Sequence, residues 1–231
     1  AALENLVNET TAAVIYETIP VTGGILIPPR DFYPRVRALC DKFGAQMILD
    51  EVQAGLGRTG RLWALDEWNV VPDFMVLGKG LSAAIYPISA AMYRPHIDAH
   101  FADGPFFHLS SYGGAELGCV VASAMLDIIT APGFLDNINA RARQLGDGIA
   151  AIRARIPGVI VEVRQRGLMI GIELRDEMLG PALTFALAQR GVLANYAGAR
   201  ESTLIIMPPL VIGEQDTALV LNALEDACAN L

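Results

Sequence analysis

Two short apolar segments of the chain each lead into a charged residue, and this pattern constrains the fold most strongly. Met47-Ile48-Leu49 leads into Asp50, and Phe74-Met75-Val76-Leu77 leads through a glycine into Lys79. Short apolar runs of this kind are typical of parallel strands that are buried on both faces. Charged residues at the ends of such strands usually face a crevice in which a ligand lies. The sequence therefore predicts a carboxylate and an amine on neighbouring strand ends with a polar ligand between them, because burying either charge alone is costly.

Segments typical of strands and helices alternate through the first part of the chain. Residues 12–16 predict a strand, residues 31–43 predict a helix that ends at Gly44, and residues 62–67 predict a short amphipathic helix. Such alternation indicates an α/β fold. From about residue 135 the pattern indicates a second, smaller α+β domain. Its strands are expected near residues 159–163, 168–174, 192–194 and 204–207, and its helices at 134–155, 181–189 and 214–229.

Composition and charge exclude several classes of protein. Hydrophobic residues make up 53% of the 231 residues, but no apolar run approaches the roughly 18 residues that a membrane span needs. The apolar excess instead predicts a wide buried sheet and subunit contacts, and hence an oligomer. A formal net charge of −8 argues against nucleic acid as a partner, because phosphate binding needs a clustered basic surface. The cysteines and histidines lack metal-ligand spacing, so no metal site is predicted, and unpaired thiols are typical of a cytoplasmic protein.

Six motifs follow one another along nearly the whole chain, and together they resemble one enzyme family. The longest is Leu49-Asp50-Glu51-Val52-Gln53-Ala54-Gly55-Leu56-Gly57-Arg58-Thr59-Gly60. The others are Pro72-Asp73 with Gly78-Lys79-Gly80, Tyr86-Pro87-Ile88, the segment from His108 to Gly114, Arg166-Gly167-Leu168 and Pro208-Pro209-Leu210. In order and spacing these motifs resemble the class III aminotransferases, the ornithine and 4-aminobutyrate type of the pyridoxal-phosphate enzymes of fold type I.

The resemblance implies a fold, a cofactor and an assembly. Members of this family bind pyridoxal 5'-phosphate (PLP) on the mostly parallel sheet of a large domain, carry a smaller C-terminal α+β domain, and form homodimers with shared active sites. On this basis residues 1–134 are the C-terminal part of the large PLP-binding domain, and residues 135–231 are the small domain. The resemblance covers only the second half of a typical member, and the chain begins without methionine. We therefore expect either a fragment of a longer protein or a chain that is an incomplete enzyme by itself.

The resemblance assigns the central chemistry to Lys79 and Asp50. Lys79 would bind PLP as a Schiff base and, once displaced by the substrate amine, would carry a proton between the substrate and cofactor carbons. Asp50 would hold the ring nitrogen of PLP protonated, so that the ring accepts the electron pair left by the departing proton. The alternatives are a surface lysine in a glycine-flanked turn and a carboxylate that caps a helix or forms a salt bridge at a strand end.

Three further residues match cofactor-binding positions of the family. Val52 would pack against one face of the PLP ring, and Gln53 would donate a hydrogen bond near its phenolic oxygen. Ser111 precedes a glycine pair and a helix, where a hydroxyl and free backbone N–H groups suit a phosphate, and it would reach the cofactor of the neighbouring subunit. The alternatives are an ordinary core valine and a helix-capping serine. Glu51 points away from Asp50 on an alternating strand, so we expect a structural role for it.

The chain departs from the family at the residues that recognise a substrate carboxylate. Many members carry an arginine three residues before the Pro-Pro-Leu motif, and that position is Ile205 here. The glutamate that pairs with this arginine corresponds to Thr22, and Arg200 is the arginine in the sequence that could substitute for the missing one. The amino donor is therefore expected to lack a carboxylate at the usual place, as a diamine, an amino sugar or another primary amine does.

The leading hypothesis is transamination, in which a primary amine or amino acid leaves its nitrogen on PLP and a keto acid collects it. A second hypothesis keeps the fold and the cofactor but changes the reaction to that of a racemase, an aminomutase or a decarboxylase. A third is a non-catalytic remnant or partner subunit, because the fold alone does not determine function.

Overall fold

One four-stranded sheet carries the two predicted strand ends. Its strands are β1 (Ala13–Glu17), β2 (Gln46–Asp50), β3 (Phe74–Leu77) and β4 (Ala90–Tyr93), and they lie side by side in sequence order. The first three strands are parallel and β4 is antiparallel to β3. Glu17 lies opposite Asp50, and Asp50 lies opposite Val76, so the carboxyl ends of the parallel strands meet at one edge. The predicted α/β fold with a mostly parallel sheet is confirmed.

The computed structural model describes residues 2–102, 104, 106 and 109–231, which divide into two units. The first unit contains this sheet and consists of Ala1–Thr18, Pro28–Leu56 and Trp63–Ala131 within the described residues. The second consists of Ile19–Ile27, Gly57–Leu62 and Pro132–Leu231. Two short segments from the first third of the sequence thus belong to the second unit. The predicted assignment of residues 1–134 and 135–231 to a large and a small domain stays a prediction.

In the part of the chain that the structure describes, the first unit also contains four α-helices, of which only α2 connects two strands of the sheet. They are α1 (Ala2–Leu6), α2 (Phe32–Phe43), α3 (Pro95–Ala102) and α4 (Glu116–Thr130), with short 3₁₀ helices at Ala64–Glu67 and Lys79–Ser82. Helix α2 packs against β2 and ends at Gly44, which takes a left-handed conformation with a φ of 72°. Helix α3 was not predicted. Its sequence begins with a proline and has weak helical periodicity, so local pattern does not reveal it.

The strands of the first sheet are buried on one face only, which corrects the prediction of burial on both faces. Met47, Leu49, Met75 and Leu77 are buried, whereas Ile48 and Val76 are half-buried and Ile15 is 62% exposed. Burial alternates along each strand because successive side chains point to opposite faces of the sheet. An all-apolar run does not reveal by itself how many of its faces are covered.

The second unit is an antiparallel sheet packed with helices. Strands β5 (Ile160–Arg166), β6 (Met169–Leu174), β7 (Asn195–Ala197) and β8 (Arg200–Ile206) follow the order β5-β6-β8-β7. The helices are α5 (Phe134–Arg155), α6 (Leu179–Ala188) and α7 (Glu214–Ala229). Apolar residues from every helix and from the central strands form one core, which includes Ile138, Leu145, Ile149, Leu168, Ile170, Ile172, Leu183, Leu204 and Leu224.

The prediction of a strand at residues 192–194 is wrong. The structure places β7 three residues later, where Tyr196 pairs with Leu204 of β8, and Leu193 is 91% exposed. Pairing with a neighbouring strand, rather than local apolarity, determines this short element.

Among the described residues, no single helix is long and apolar enough to cross a membrane. One pair of helices, α4 and α5, meets the criteria of length and composition only when both are counted together across the break between them.

Candidate active site

Asp50 is the last residue of β2, and one of its carboxylate oxygens is fixed by the turn that follows. Oδ1 accepts the backbone N–H of Val52 at 2.8 Å, and the side chain is half-buried. The backbone carbonyl of Asp50 accepts the N–H of Thr18 from the end of β1 at 3.0 Å. Within the described chain, Oδ2 accepts no hydrogen bond and no ion pair joins Asp50 to Lys79. The carboxylate is thus oriented by the backbone and keeps one oxygen for a donor at the strand edge.

Lys79 begins the 3₁₀ helix Lys79–Ser82, one residue after β3 and Gly78. Its side chain is exposed in this chain, so the apolar strand that leads into it does not bury the amine. The backbone of Lys79 has a φ of 38°, in the left-handed region that non-glycine residues seldom occupy. Strained backbone of this kind is found preferentially at functional sites, where the surrounding structure maintains it.

Val52 lies directly beside the residue that precedes the lysine. A Cβ built on Gly78 would lie 3.4 Å from Cγ1 and 3.5 Å from Cγ2 of Val52. Gln53 follows in the same turn and is half-buried. The structure therefore brings the Asp50 carboxylate, the Val52 methyl groups and the start of the Lys79 helix to adjacent positions on one sheet edge.

Ser111 lies in an exposed turn before α4, and the structure brings it into hydrogen-bond contact with neither Asp50 nor Lys79 among the described residues. The N-cap of α4 is Ala115, which makes no side-chain capping bond. The alternative prediction, an ordinary helix-capping serine, therefore does not describe Ser111. His108, at the start of this motif, lies outside the described residues.

Glu51 is the nearest ionisable neighbour of Asp50 in the chain, and it is completely buried. Oε2 accepts the N–H of Ala64 at 2.8 Å and Oε1 accepts the N–H of Leu65 at 2.9 Å, at the start of a 3₁₀ helix. Burial raises the pKa of the Glu51 carboxyl, although hydrogen bonds from the Thr18 side chain and from these two N–H groups act in the opposite direction. The expected structural role of Glu51 agrees with this environment.

Comparisons with known proteins identify the family. The family described as class-III aminotransferase matches residues 1–228 of the chain. This chain is a class III aminotransferase sequence. An uncharacterized aminotransferase of Archaeoglobus fulgidus is 44% identical over 229 residues, which are 98% of this chain and 53% of that protein. Putrescine aminotransferase of Pectobacterium atrosepticum is 34% identical over 223 residues, 96% of this chain and 48% of that protein.

A solved structure confirms the fold of this class III aminotransferase chain. Ornithine aminotransferase of Toxoplasma gondii, crystallized with partial occupancy of PLP at its active site, superimposes with a TM-score of 0.90 at 31% identity. The match covers 99% of this chain and 54% of the ornithine aminotransferase chain. The chain thus spans about half the length of the curated relatives and the solved structure that it matches.

The Pro72-Asp73 motif of this class III aminotransferase chain has no catalytic assignment, and the contacts of Asp73 give it a structural role. Its buried carboxylate accepts the N–H of Met47 at 2.7 Å and a guanidinium N–H of Arg37 at 2.6 Å. Burial favours the neutral acid, but these hydrogen bonds and the charges of Arg37 and Arg94 lower the pKa of Asp73. The carboxylate ties the start of β2 to the residue before β3, and so fixes the register in which the strands reach Asp50 and Lys79. An aspartate between a proline and an apolar strand was the available signal in the sequence.

Arg58 and Gly167 connect two other motifs within the second unit. The Arg58 guanidinium donates to the carbonyls of Leu168 and Pro208, and its backbone carbonyl accepts the N–H of Leu168 at 3.0 Å. Desolvation lowers the pKa of Arg58 to about 10. A Cβ on Gly167 would lie 2.3 Å from the backbone carbon of Thr59, so only glycine fits there. These contacts give Arg58 a structural role, in which its partners are backbone carbonyls.

A buried ionic cluster lies on the sheet of the second unit, and sequence reasoning missed it. Glu173 accepts hydrogen bonds from Arg164 at 2.7 Å, Ser202 at 2.7 Å, Thr203 at 2.8 Å and Arg200 at 3.0 Å. Burial acts to raise the pKa of Glu173, but these four donors outweigh it and lower the pKa to about 2. Arg200, considered above as a substitute carboxylate clamp, is therefore engaged with Glu173.

Proposed function

We propose that the protein containing this chain is a PLP-dependent aminotransferase that transfers an amino group from a primary amine or amino acid to a keto acid. The observation that carries the proposal is the arrangement of Asp50, Val52 and Lys79 at one sheet edge. The carboxylate and the amine end adjacent parallel strands, and the methyl groups of Val52 lie beside Gly78. Family membership supports the same reaction class.

The side chains at this edge fit the functional groups of PLP. Asp50 keeps one carboxylate oxygen for a protonated ring nitrogen, because Val52 N–H holds the other. The Val52 methyl groups, next to the Asp50 carboxylate in the chain, would give an apolar contact for one face of the ring. When bound, PLP supplies an electron sink for the bond broken at the substrate carbon.

Lys79 has two tasks in the proposed reaction. Its amine would hold the cofactor between turnovers, and it would then accept the proton from the substrate carbon as a general base and return it as a general acid. Lys79 follows β3 in a helical turn in which the N–H of Leu81 bonds to the carbonyl of Gly78 at 2.9 Å. This turn fixes the backbone position from which the Lys79 side chain extends.

We infer that the amino donor lacks a carboxylate at the position used by many members of the family. Ile205 and Thr22 occupy the two positions of the family's carboxylate switch, and Arg200 is hydrogen-bonded to Glu173. An aliphatic side chain cannot make the paired hydrogen bonds by which a guanidinium binds a carboxylate. The similarity to putrescine aminotransferase supports a diamine as donor, since putrescine carries two amines and no carboxylate.

We also propose a cytoplasmic homodimer in which Ser111 binds the PLP phosphate of the partner subunit. Apolar side chains next to Ser111 are strongly exposed in the single chain, with Tyr112 at 86%, Leu117 at 70% and Val120 at 67%. Large apolar side chains in one exposed region are typical of an interface. The cytoplasmic location is supported by the free thiols of the three cysteines.

The reaction is tested on the intact protein with its cofactor. We expect PLP to give an absorbance band of a lysine-linked pyridoxal, and Lys79→Ala to remove both the band and the nitrogen transfer. With putrescine as donor, amino transfer should depend on an added keto acid, and an α-amino acid should be a poorer donor. Turnover without any acceptor would indicate a racemase or an aminomutase, and no band in the wild type would indicate a non-catalytic protein.

The shared site is tested by mixing two impaired variants. In a mixed dimer of Lys79→Ala and Ser111→Ala subunits, one site combines the intact Lys79 of one subunit with the intact Ser111 of the other. We expect the mixture to regain PLP affinity and activity that neither variant has alone. If Ser111 acts within its own subunit, or acts only in folding, mixing restores nothing.

A further inference from the structure

We propose that Glu51 is a positioning residue for the cofactor site, because its carboxylate holds the turn that orients Asp50 and Val52. The proposal rests on the proposed function, since it concerns how the same site receives PLP. Glu51 is 0% exposed, so it does not reach solvent in this chain.

The two oxygens of Glu51 have separate backbone partners. The N–H of Ala64 bonds to Oε2 at 2.8 Å, and the N–H of Leu65 bonds to Oε1 at 2.9 Å. These N–H groups belong to the first turn of the 3₁₀ helix Ala64–Glu67, whose N-terminus has no other side-chain cap. Only a carboxylate offers two acceptor oxygens in this geometry. Glutamine has the same shape, but it would present an NH₂ donor to one of the two N–H groups in either orientation.

The backbone of Glu51 links this carboxylate to the predicted cofactor contacts. Its N–H bonds to the carbonyl of Val76 in β3 at 2.9 Å, and its carbonyl accepts the N–H of Gly55 at 2.9 Å. A Cβ on Gly55 would lie 3.0 Å from Oε2 of Glu51, so the turn closes tightly over the carboxylate. Val52 and Gln53 lie inside this turn. A shift of Glu51 therefore moves the Val52 N–H that orients Asp50.

Thr18 connects Glu51 to the backbone of Asp50 from the opposite side. Its hydroxyl donates to the Asp50 carbonyl at 3.4 Å and also acts on the Glu51 carboxylate, whose pKa it lowers, and its N–H bonds to the Asp50 carbonyl at 3.0 Å. Thr18 is also 0% exposed. The buried carboxylate thus links the ends of β1 and β2 with the 3₁₀ helix, and the predicted site residues lie between these elements.

The test measures the dissociation constant of PLP for the intact apoprotein in a double-mutant cycle of Glu51→Gln and Asp50→Asn. Leaving one buried N–H without an acceptor displaces the turn, so we expect Glu51→Gln to weaken PLP binding about tenfold. If Glu51 acts through Asp50, the same change in the Asp50→Asn background should weaken binding less than about twofold. The absorbance maximum of bound PLP should shift in both single variants.

The coupling separates positioning from general loss of stability. Equal weakening of PLP binding by Glu51→Gln in both backgrounds would overturn the proposal, and so would unchanged binding in the single variant. The matched control is Glu9→Gln, which changes an exposed glutamate of the same unit and should leave PLP affinity and spectrum unchanged. If Glu51→Gln fails to fold, Thr18→Val removes the hydroxyl that acts on the same carboxylate and that donates to the Asp50 carbonyl. It should weaken PLP binding in the same direction, and unaltered binding there would overturn the proposal.

The outcome also distinguishes this proposal from the proposed function. A wild-type protein that binds PLP, together with uncoupled effects of Glu51 and Asp50, refutes only the role of Glu51. A wild-type protein that binds no PLP refutes the proposed function and the role of Glu51 with it.

Discussion

Replacement of Glu173 by glutamine removes the centre of the buried cluster in the second unit. The wild-type carboxylate accepts hydrogen bonds from two arginines and two hydroxyls, and the side chains of Glu173 and Arg164 are each only 9% exposed. Glutamine cannot neutralise Arg164, which then remains buried beside the more exposed Glu162. Loss of one partner of a buried ion pair typically costs about 3–5 kcal/mol, and we expect Glu173→Gln to lower the free energy of unfolding by about that amount at pH 7.

The pH dependence gives a second and independent measure of the same cluster. The pKa of Glu173 is lowered from 4.5 to about 2, so the ionised form stabilises the folded state above pH 4.5. This contribution is lost as the pH falls from 4.5 towards 2, and a shift of that size corresponds to about 3 kcal/mol. The free energies of unfolding of wild type and variant should therefore converge over this acidic range.

The assay is urea denaturation of the intact protein at a series of pH values from 3 to 7, followed by circular dichroism. The matched control is Glu177→Gln, because Glu177 is an exposed glutamate of the same unit and its replacement should change stability by less than about 0.5 kcal/mol. Parallel stability curves for wild type and Glu173→Gln across the acidic range would refute the reasoning. In that case the ionised carboxylate would not be the stabilising species.

Three further predictions concern backbone fit and buried charge. Gly167→Ala should lower the free energy of unfolding by more than about 3 kcal/mol, because its Cβ would lie 2.3 Å from a backbone atom. The control is Gly191→Ala, which is also at positive φ but has open space around it and should lower that free energy by about 1 kcal/mol, as measured by thermal unfolding. Arg58→Lys should lower the melting temperature, since a single ammonium does not reproduce the fork that bonds to two carbonyls, and an unchanged melting temperature would contradict this. Ala84→Gly should raise the melting temperature slightly, because Ala84 has a φ of 63°, and a decrease would indicate that the left-handed conformation is not strained.

The fold was largely predictable from local sequence because its strands are short apolar runs bounded by turn residues. The strand that ends at Asp50 and the helix that ends at Gly44 both follow from such patterns. The exposure of Lys79 was not predictable in the same way. Apolar residues determine the burial of the strand that contains them, whereas the side chain after the strand depends on the surrounding elements. The prediction that Ser111 binds the cofactor came from the family resemblance alone. Among the described residues, Ser111 makes no hydrogen bond to Asp50 or Lys79.

The segment Leu81-Ser82-Ala83-Ala84-Ile85 after Lys79 illustrates a signal that becomes clear only with backbone angles. The sequence has two alanines in this segment, and the structure gives Ala83 a φ of 49° and Ala84 a φ of 63°. Glycine adopts this conformation at little cost, while alanine is strained in it. The segment after Lys79 thus adopts left-handed backbone angles at two alanines, and a hydrogen bond from the Ser82 hydroxyl to the Tyr86 carbonyl spans these two residues.

Four carboxylates of the chain differ in how completely their oxygens are bonded, and this difference supports the proposal that Asp50 contacts the cofactor. Glu51 and Glu173 accept hydrogen bonds on both oxygens, and both oxygens of Asp73 face arginines or a backbone N–H. Asp50 accepts one hydrogen bond on one oxygen among the described residues. A carboxylate whose partners are all supplied by the chain stabilises the fold, whereas one that is oriented but only half bonded is suited to hold a donor from a ligand. Apolar pattern alone places all four in or next to apolar segments, and the geometry of their partners agrees with the family resemblance in setting Asp50 apart.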